Sequence, residues 1–258
     1  MMENAQEVLR MENITKVFGE LVANDQISIS LNKGEILAII GENGAGKTTL
    51  MKILYGLENA TNGTIYVHGK ETRIRNTGNA IVNGIGMVQQ HFMLFDPFTV
   101  AENIVYGQEP KKGLVFDLDR ANQIVEDLSK KHELPLNPRA LIQGMPVGLR
   151  QRVEILKVLY QNAEIIIFDE PTAVLTPQEV HELLKTMKQL AASGKSIIII
   201  THKLNEVMEV ADRAVVLRLG KQVADVMVAD TSIEELSFLM VGRNLANKKV
   251  LHNPPKAN

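Results

Sequence analysis

Short apolar runs, each closed by turn or polar residues, recur along the chain. Glu35–Ile40 (E-I-L-A-I-I) follows Lys33-Gly34 and runs straight into a glycine-rich stretch. Glu164–Phe168 (E-I-I-I-F) ends at Asp169-Glu170, Ser196–Ile200 (S-I-I-I-I) ends at Thr201-His202, and Ala214–Leu217 ends near Gly220. Continuous runs of this kind, rich in β-branched residues, fit strands buried on both faces of a parallel sheet covered by helices. Between them the period changes. Val180, Leu183, Leu184, Met187 and Leu190 keep helical spacing as far as Gly194. Thr176-Pro177-Gln178-Glu179 supplies an N-cap threonine, a proline at the first position and a glutamate at the third, so a helix begins there. The alternation predicts an α/β core.

The first 75 residues read differently. Val8–Ile14, Gln26–Leu31 and Gly63–Val67 are short and mixed, with turns expected at Phe18-Gly19, Asn62-Gly63 and His68-Gly69. They predict an antiparallel β flank over about 6–75. From about 92 to 160 the pattern is mostly helical. Ala121, Ile124, Val125 and Leu128 form one stripe and Val153, Leu156 and Leu159 another, parted by breaks at Leu134–Pro138 and Met145-Pro146. This predicts a helical insertion within one domain over 6–243, not a second domain. The polar, proline-containing residues 244–258 read as a tail or linker. No internal repeat of 20–50 residues and no low-complexity segment stands out.

Composition narrows the class. Of 258 residues, 45% are hydrophobic and 22% charged, with a net charge of -2; mean hydropathy is -0.02. That is enough apolar material for a core, and it argues against disorder or a basic nucleic-acid arm. Zero cysteines remove disulfides, thiolate metal sites and cysteine nucleophiles. No apolar run approaches the roughly 18 residues of a membrane span, and M-M-E-N-A-Q-E-V-L-R lacks the apolar core of a secretory signal. The expectation is a soluble intracellular protein.

The candidate chemistry lies where the predicted strands end. Gly41-Glu42-Asn43-Gly44-Ala45-Gly46-Lys47-Thr48-Thr49 fits G-x-x-x-x-G-K-[ST] between a predicted strand and the helical run Leu50–Tyr55. Glycines there let backbone N–H groups wrap phosphates, the helix N-terminus adds partial positive charge, and a lysine reaches the β/γ oxygens. The Thr48 hydroxyl is placed for Mg²⁺. Asp169 and Glu170, at the end of a buried strand, supply a carboxylate for the metal through water and one to polarise an attacking water. A carboxylate pair after an apolar run is commonplace alone. Together with the loop it points to binding and hydrolysis of a nucleoside triphosphate.

The order G-E-N-G-A-G-K-T-T, M-V-Q-Q-H-F, V-G-L-R-Q-R-V-E-I-L-K, I-I-I-F-D-E-P-T and I-I-T-H-K resembles an ABC-type ATPase over essentially the whole chain to Arg243. Q-R-V-E-I-L-K, D-E-P-T-A-V-L-T-P-Q-E and T-H-K-L-N-E-V are similar to the ATP-binding subunits of bacterial sugar and nucleoside importers, the nucleoside group above all. The resemblance implies a P-loop NTPase (RecA-like) core with an antiparallel β subdomain and a helical subdomain. It implies ATP and Mg²⁺ as cofactors. Phe18 would stack on adenine, and Gln90, favoured over Gln89 by M-V-x-Q, would reach Mg²⁺ with Thr48 and Asp169. Lys47, Glu170 and His202 would be the catalytic set, His202 touching the γ-phosphate. Pro146, Val147 and Gly148 would close on a nucleotide held by an opposite module. The implied partners are ABC permease subunits, a second ATPase module and, indirectly, an extracytoplasmic substrate-binding protein, with no nucleic acid. The implied location is peripheral, on the cytoplasmic face of the cell membrane. Phe92, Leu94 and Phe95 are either permease contacts or plain core.

Two segments depart from the family pattern. Where L-S-G-G-Q is usual, this chain has Met145-Pro146-Val147-Gly148-Leu149. Pro146 has neither hydroxyl nor N–H, though it suits the first position of a helix, and Gly148 keeps a backbone N–H toward a phosphate. Thr176 stands where an aspartate is usual. The site closed by Met145–Leu149 is therefore expected to turn over slowly or serve mainly for binding. Importers of this group commonly carry two modules on one chain, so this single one is expected to be half of a tandem protein, or else a subunit that homodimerises. A non-transport ABC ATPase is the alternative, but no heptads or strongly basic segments support it. N-K-K-V at 247–250 is not the N-K-x-D guanine reader of GTPases.

Overall fold

The computed structural model describes residues 6–242; the expected tail 244–258 and the N-K-K-V segment lie outside the described residues. In chain order the elements are β1 (Glu7–Phe18), β2 (Leu21–Asn32), β3 (Ile36–Ile40), α1 (Lys47–Leu54), β4 (Asn62–Val67), β5 (Lys70–Glu71), α2 (Thr77–Val82) and β6 (Ile85–Val88). There follow α3 (Val100–Val105), β7 (Lys111–Lys112), β8 (Val115–Phe116), α4 (Leu118–Lys131), α5 (Val147–Tyr160), β9 (Ile165–Asp169) and α6 (Pro177–Ala192). The chain continues with β10 (Ser196–Thr201), α7 (Leu204–Val210), β11 (Arg213–Arg218), β12 (Lys221–Met227) and α8 (Ile233–Val241).

The apolar runs form a six-stranded sheet of order β12-β11-β3-β10-β9-β6. All its pairings are parallel except that of the edge strand β12. Alternation along each strand divides its side chains between two cores. Ala38 and Ile40, Ile166 and Phe168, Ile197 and Ile199, and Ala214 and Val216 point into a core shared with α3–α8. Leu37 and Ile39, Ile165 and Ile167, Ile198 and Ile200, and Val215 and Leu217 point into the other. That second core is closed by α1 and by a four-stranded antiparallel sheet of order β2-β1-β4-β5. A helix layer and a second sheet cover the two faces, which is why these strands carry no polar alternation.

Local signals explain most element ends. The α6 start has the expected capping box: Thr176 Oγ1 accepts the Glu179 N–H, and Glu179 Oε2 accepts the Thr176 N–H at 2.9 Å. One expectation is corrected. Asn62-Gly63 opens β4 instead of forming a turn; Gly63 has φ +107°, and a Cβ there would lie 2.7 Å from the carbonyl oxygens of Glu12 and Asn13, so β1 approaches its bare backbone. The stretch 92–160, read as mostly helical with breaks at Leu134–Pro138 and Met145-Pro146, also carries a β7–β8 hairpin between α3 and α4.

Phe168 is the largest side chain in the core with no exposure. Phe168→Ala is expected to lower unfolding free energy by about 3–5 kcal/mol in a denaturant titration; a loss below about 1 kcal/mol would contradict this packing.

Candidate nucleotide site

The site is built where parallel strands end. β3 stops at Ile40, Gly41–Gly46 turns, and α1 begins at Lys47. The turn needs glycine at both ends. Gly46, the α1 N-cap, has φ +98°, and a Cβ there would overlap the Ala23 carbonyl and lie 2.6 Å from Asn24 Nδ2. Asn24 Nδ2 donates to the Gly46 carbonyl at 3.0 Å, so β2 braces the loop from behind. At Gly41 a Cβ would overlap the Leu217 carbonyl. Gly44 has nothing within 4 Å of its virtual Cβ and faces open space.

Lys47 is only 6% exposed. Its Nζ donates to the carbonyls of Gly41 (2.8 Å) and Glu42 (3.0 Å), folding back over the loop. Burial pulls its pKa down, opposed by the carboxylates of Glu170 and Asp169. Thr48 Oγ1 donates to Asp169 Oδ1 at 3.3 Å, joining α1 to the end of β9. Burial pushes the Asp169 carboxyl up and the Thr48 bond draws it down; the Glu170 charge adds to the rise, while Lys52 and Lys47 oppose it. Glu170 follows in left-handed backbone (φ +46°), its N–H donating to the Ile200 carbonyl at 3.0 Å. Its Oε1 lies 3.0 Å from His202 Nδ1. With Glu170 ionised, Nδ1 carries the hydrogen of that bond and Nε2 is left available.

Lys47, Thr48, Glu170 and His202 border one cleft of about 720 Å³, lined also by Phe18, Asn43–Gly46, Thr49, Gln90, Ala173 and Gly220 among others, while Asp169 lies buried behind Thr48 and does not line it. Gln90 faces it and Gln89 does not line it. Phe18 stands half-exposed at the mouth, with Lys16 Nζ 4.5 Å from its ring centroid. Pro146, Val147 and Gly148 are not brought here. Pro146 and Gly148 border a separate cleft of about 320 Å³, beside Glu133 and Glu179. Pro146 occupies the N-cap of α5 (φ -54°, ψ 148°), one place before the first helical residue that proline also suits. Its extended ψ keeps it out of the helix, Val147 takes the first turn, and no side chain of residue 146 caps it. Gly148 packs against Glu179, whose Oε1 a Cβ would overlap. The bonds from Thr176 and Gly148 hold the Glu179 carboxyl below its usual range.

Sequence reasoning missed Asn24, Lys16 and this second use of Glu179. None has a motif of its own, and only the capping box around Glu179 was visible. Among the described residues, no three His, Asp or Glu side chains converge as a metal cage. A hard cation here would rest on Thr48, Asp169 and Gln90 together with phosphate oxygens, the way Mg²⁺ is usually held.

Comparison with known proteins agrees with this geometry. Residues 24–173 match the family model described as ABC transporter. The nucleoside import ATP-binding protein NupA of Lactococcus lactis subsp. cremoris is 52% identical over 239 residues, which is 93% of this chain and 47% of that protein. The guanosine import ATP-binding protein NupO of Bacillus subtilis is 53% identical over 241 residues, again 93% and 47%. The glucose import ATP-binding protein TsgD13 of Haloferax volcanii is 45% identical over 265 residues, 92% and 48%. The chain spans about half the length of these curated relatives. Among solved structures, the ADP conformation of MJ1267, an ATP-binding cassette of an ABC transporter, superposes with a TM-score of 0.78 at 29% identity, covering 91% of this chain and 95% of that one.

Because burial raises the folded pKa of Asp169 above its unfolded value, the ionised side chain costs stability above that raised pKa, and the cost fades as pH falls through it. Asp169→Asn keeps an acceptor for Thr48 and removes the charge. It is expected to melt higher than the parent near about pH 8 without metal, the gain shrinking toward about pH 4. A lower melting temperature at the higher pH would contradict the burial argument.

Proposed function

The chain belongs to the ABC transporter family, and from that premise we propose that it is an ATP-binding module that hydrolyses ATP to drive nucleoside import through a partner permease. The observation that carries this reading is the meeting of Thr48–Asp169 and Glu170–His202 around the glycine loop at one edge of the parallel sheet. Two of the relatives, each more than half identical, import nucleosides; the glucose-import relative makes a simple sugar the second choice.

The loop Gly41–Thr49 binds the triphosphate through backbone N–H groups and the α1 N-terminus. Lys47 exchanges its two loop carbonyls for β/γ oxygens, and Phe18 offers its ring to adenine. The residues present suit Mg²⁺, which Thr48, Gln90 and Asp169 would hold. When bound, the ion neutralises charge on the phosphate oxygens. Glu170 orients and polarises the attacking water. His202, held on Nδ1 by Glu170, directs Nε2 to the γ-phosphate.

Each chain supplies one loop and one α5 N-terminus, and these lie in different clefts. Two modules meeting head to tail would bring Pro146–Gly148 of one over the nucleotide of the other, the second module being a tandem half or a second copy. Among the described residues no helix is long and apolar enough to cross a membrane; in this reading the path for substrate belongs to the permease, fed by an extracytoplasmic binding protein. The module docks on the permease from the cytoplasmic face of the membrane. Leu94 packs against the core, whereas Met93, Phe95, Phe98 and Tyr106 are exposed and form the permease-facing patch.

In the assembled transporter, Glu170→Gln is expected to retain Mg·ATP while hydrolysis falls by about 10²–10⁴-fold. Uptake of labelled guanosine is expected to stop in the same variant. Hydrolysis at the parental rate would overturn the role of Glu170, and uptake of glucose without guanosine would overturn the substrate. Pro146→Ser restores a capping hydroxyl on α5 and is expected to raise ATPase in the assembled complex. An unchanged rate would count against a weakened second site.

A further inference from the structure

Helix α5 grips two loops of the site from one face. Gln151, Glu154 and Lys157 are spaced three residues apart and so project from neighbouring turns. Gln151 Nε2 donates to the Pro171 carbonyl at 2.8 Å, directly after Glu170. Glu154 Oε1 accepts the Met93 N–H at 2.8 Å, and Lys157 Nζ donates to the Met93 carbonyl at 3.1 Å, three residues after Gln90. Gln151 and Glu154 are each only 4% exposed. A carboxylate is a costly group to bury for one backbone bond, and burial pushes the Glu154 carboxyl up. Two residues on, Asn103 of α3 holds Phe95 by both its N–H (2.8 Å) and its carbonyl (3.1 Å). Met93–Phe95 is therefore pinned to α3 and α5, while Gln90 and His91 just before it are exposed.

We infer that Gln151 and Glu154 are positioning residues that tie the Gln90 and Glu170 loops to α5, so that nucleotide in the cleft moves Met93–Phe95 and the Pro146–Gly148 end together. The inference rests on the nucleotide-binding reading of the cleft and adds to it the element that carries the signal. α5 begins at Pro146–Gly148, and its next two turns hold the loops after the acidic pair and after Gln90. A displacement of either loop is thus felt at the helix N-terminus. Without the Glu154 bond, the Met93 N–H loses its partner and only the Lys157 bond still ties the segment to α5, which weakens the coupling.

The chain has no tryptophan, so Phe95→Trp places a single fluorescent reporter on the pinned segment. In the 258-residue chain, Mg·ATP is expected to change the Trp emission of this parent. Adding Glu154→Leu should remove most of that change while affinity by equilibrium dialysis stays within about twofold. Glu154→Gln should preserve it, because the amide oxygen still accepts the Met93 N–H. Gln151→Leu, which releases the other loop, should also reduce the change, and it serves as the second variant if Glu154→Leu fails to fold. Equal changes in parent and leucine variants would overturn the inference, as would binding by the parent without any change. Absence of binding by the parent would instead overturn the nucleotide-site reading beneath it.

Discussion

Everything at the site depends on β10 lying between β3 and β9 in parallel register. The ladder aligns Thr201 with Ile40 on one side and Ile200 with Asp169 on the other. Three chain segments distant in sequence therefore leave the sheet at the same edge. Gly41, Glu170 and His202 are the residues they deliver there. In open parallel sheets the crevice beyond the carboxyl ends of the strands is where ligands bind. Here the crevice is made specific by the loop that follows β3. Strands buried on both faces give this edge its rigidity, since no face of β3, β9 or β10 is free to move toward water.

The same burial sets the electrostatics. One ammonium and two carboxylates crowd the cleft, and desolvation works against the charged form of both Lys47 and Asp169. The groups answer each other only partly. Lys47 satisfies itself on loop carbonyls rather than on either carboxylate. Glu170 adopts a left-handed backbone that costs a non-glycine residue about 1 kcal/mol or more, and its bond to the Ile200 carbonyl helps hold it there. Six other non-glycine residues among those described share that backbone region, so the buried Lys47 and Asp169 side chains distinguish the site more than the Glu170 backbone does.

Much of this was legible in the sequence, for physical reasons. Strands buried on both faces announce themselves as unbroken apolar runs, and the α6 start carried its whole capping box in four residues. The glycine loop could be read because its conformation and its chemistry both demand glycine. β6 and β12 were not legible: I-G-M-V is too short to show a period, and β12 is a half-exposed edge strand with mixed residues. The β7–β8 hairpin sits in a stretch whose flanking helices dominate the pattern. Side chains that act across the fold, such as Asn24 behind the loop and Glu179 at the start of α5, leave no periodic or motif signature. Proline suits either side of a helix boundary, so the sequence left open whether Pro146 stands at the N-cap or the first position, and only ψ distinguishes them.

One cleft holds the loop with Glu170 and His202, while Pro146 and Gly148 stand in another beside Glu179. The central claim is that the first cleft is a triphosphate cradle organised by Lys47. Calorimetric titration of the folded chain with Mg·ATP, alongside Lys47→Ala, tests it most directly. The account predicts one binding event per chain for the parent and its loss in Lys47→Ala, whose circular dichroism and cooperative unfolding remain those of a folded protein. Equal binding by both proteins, or none by the parent, would contradict it.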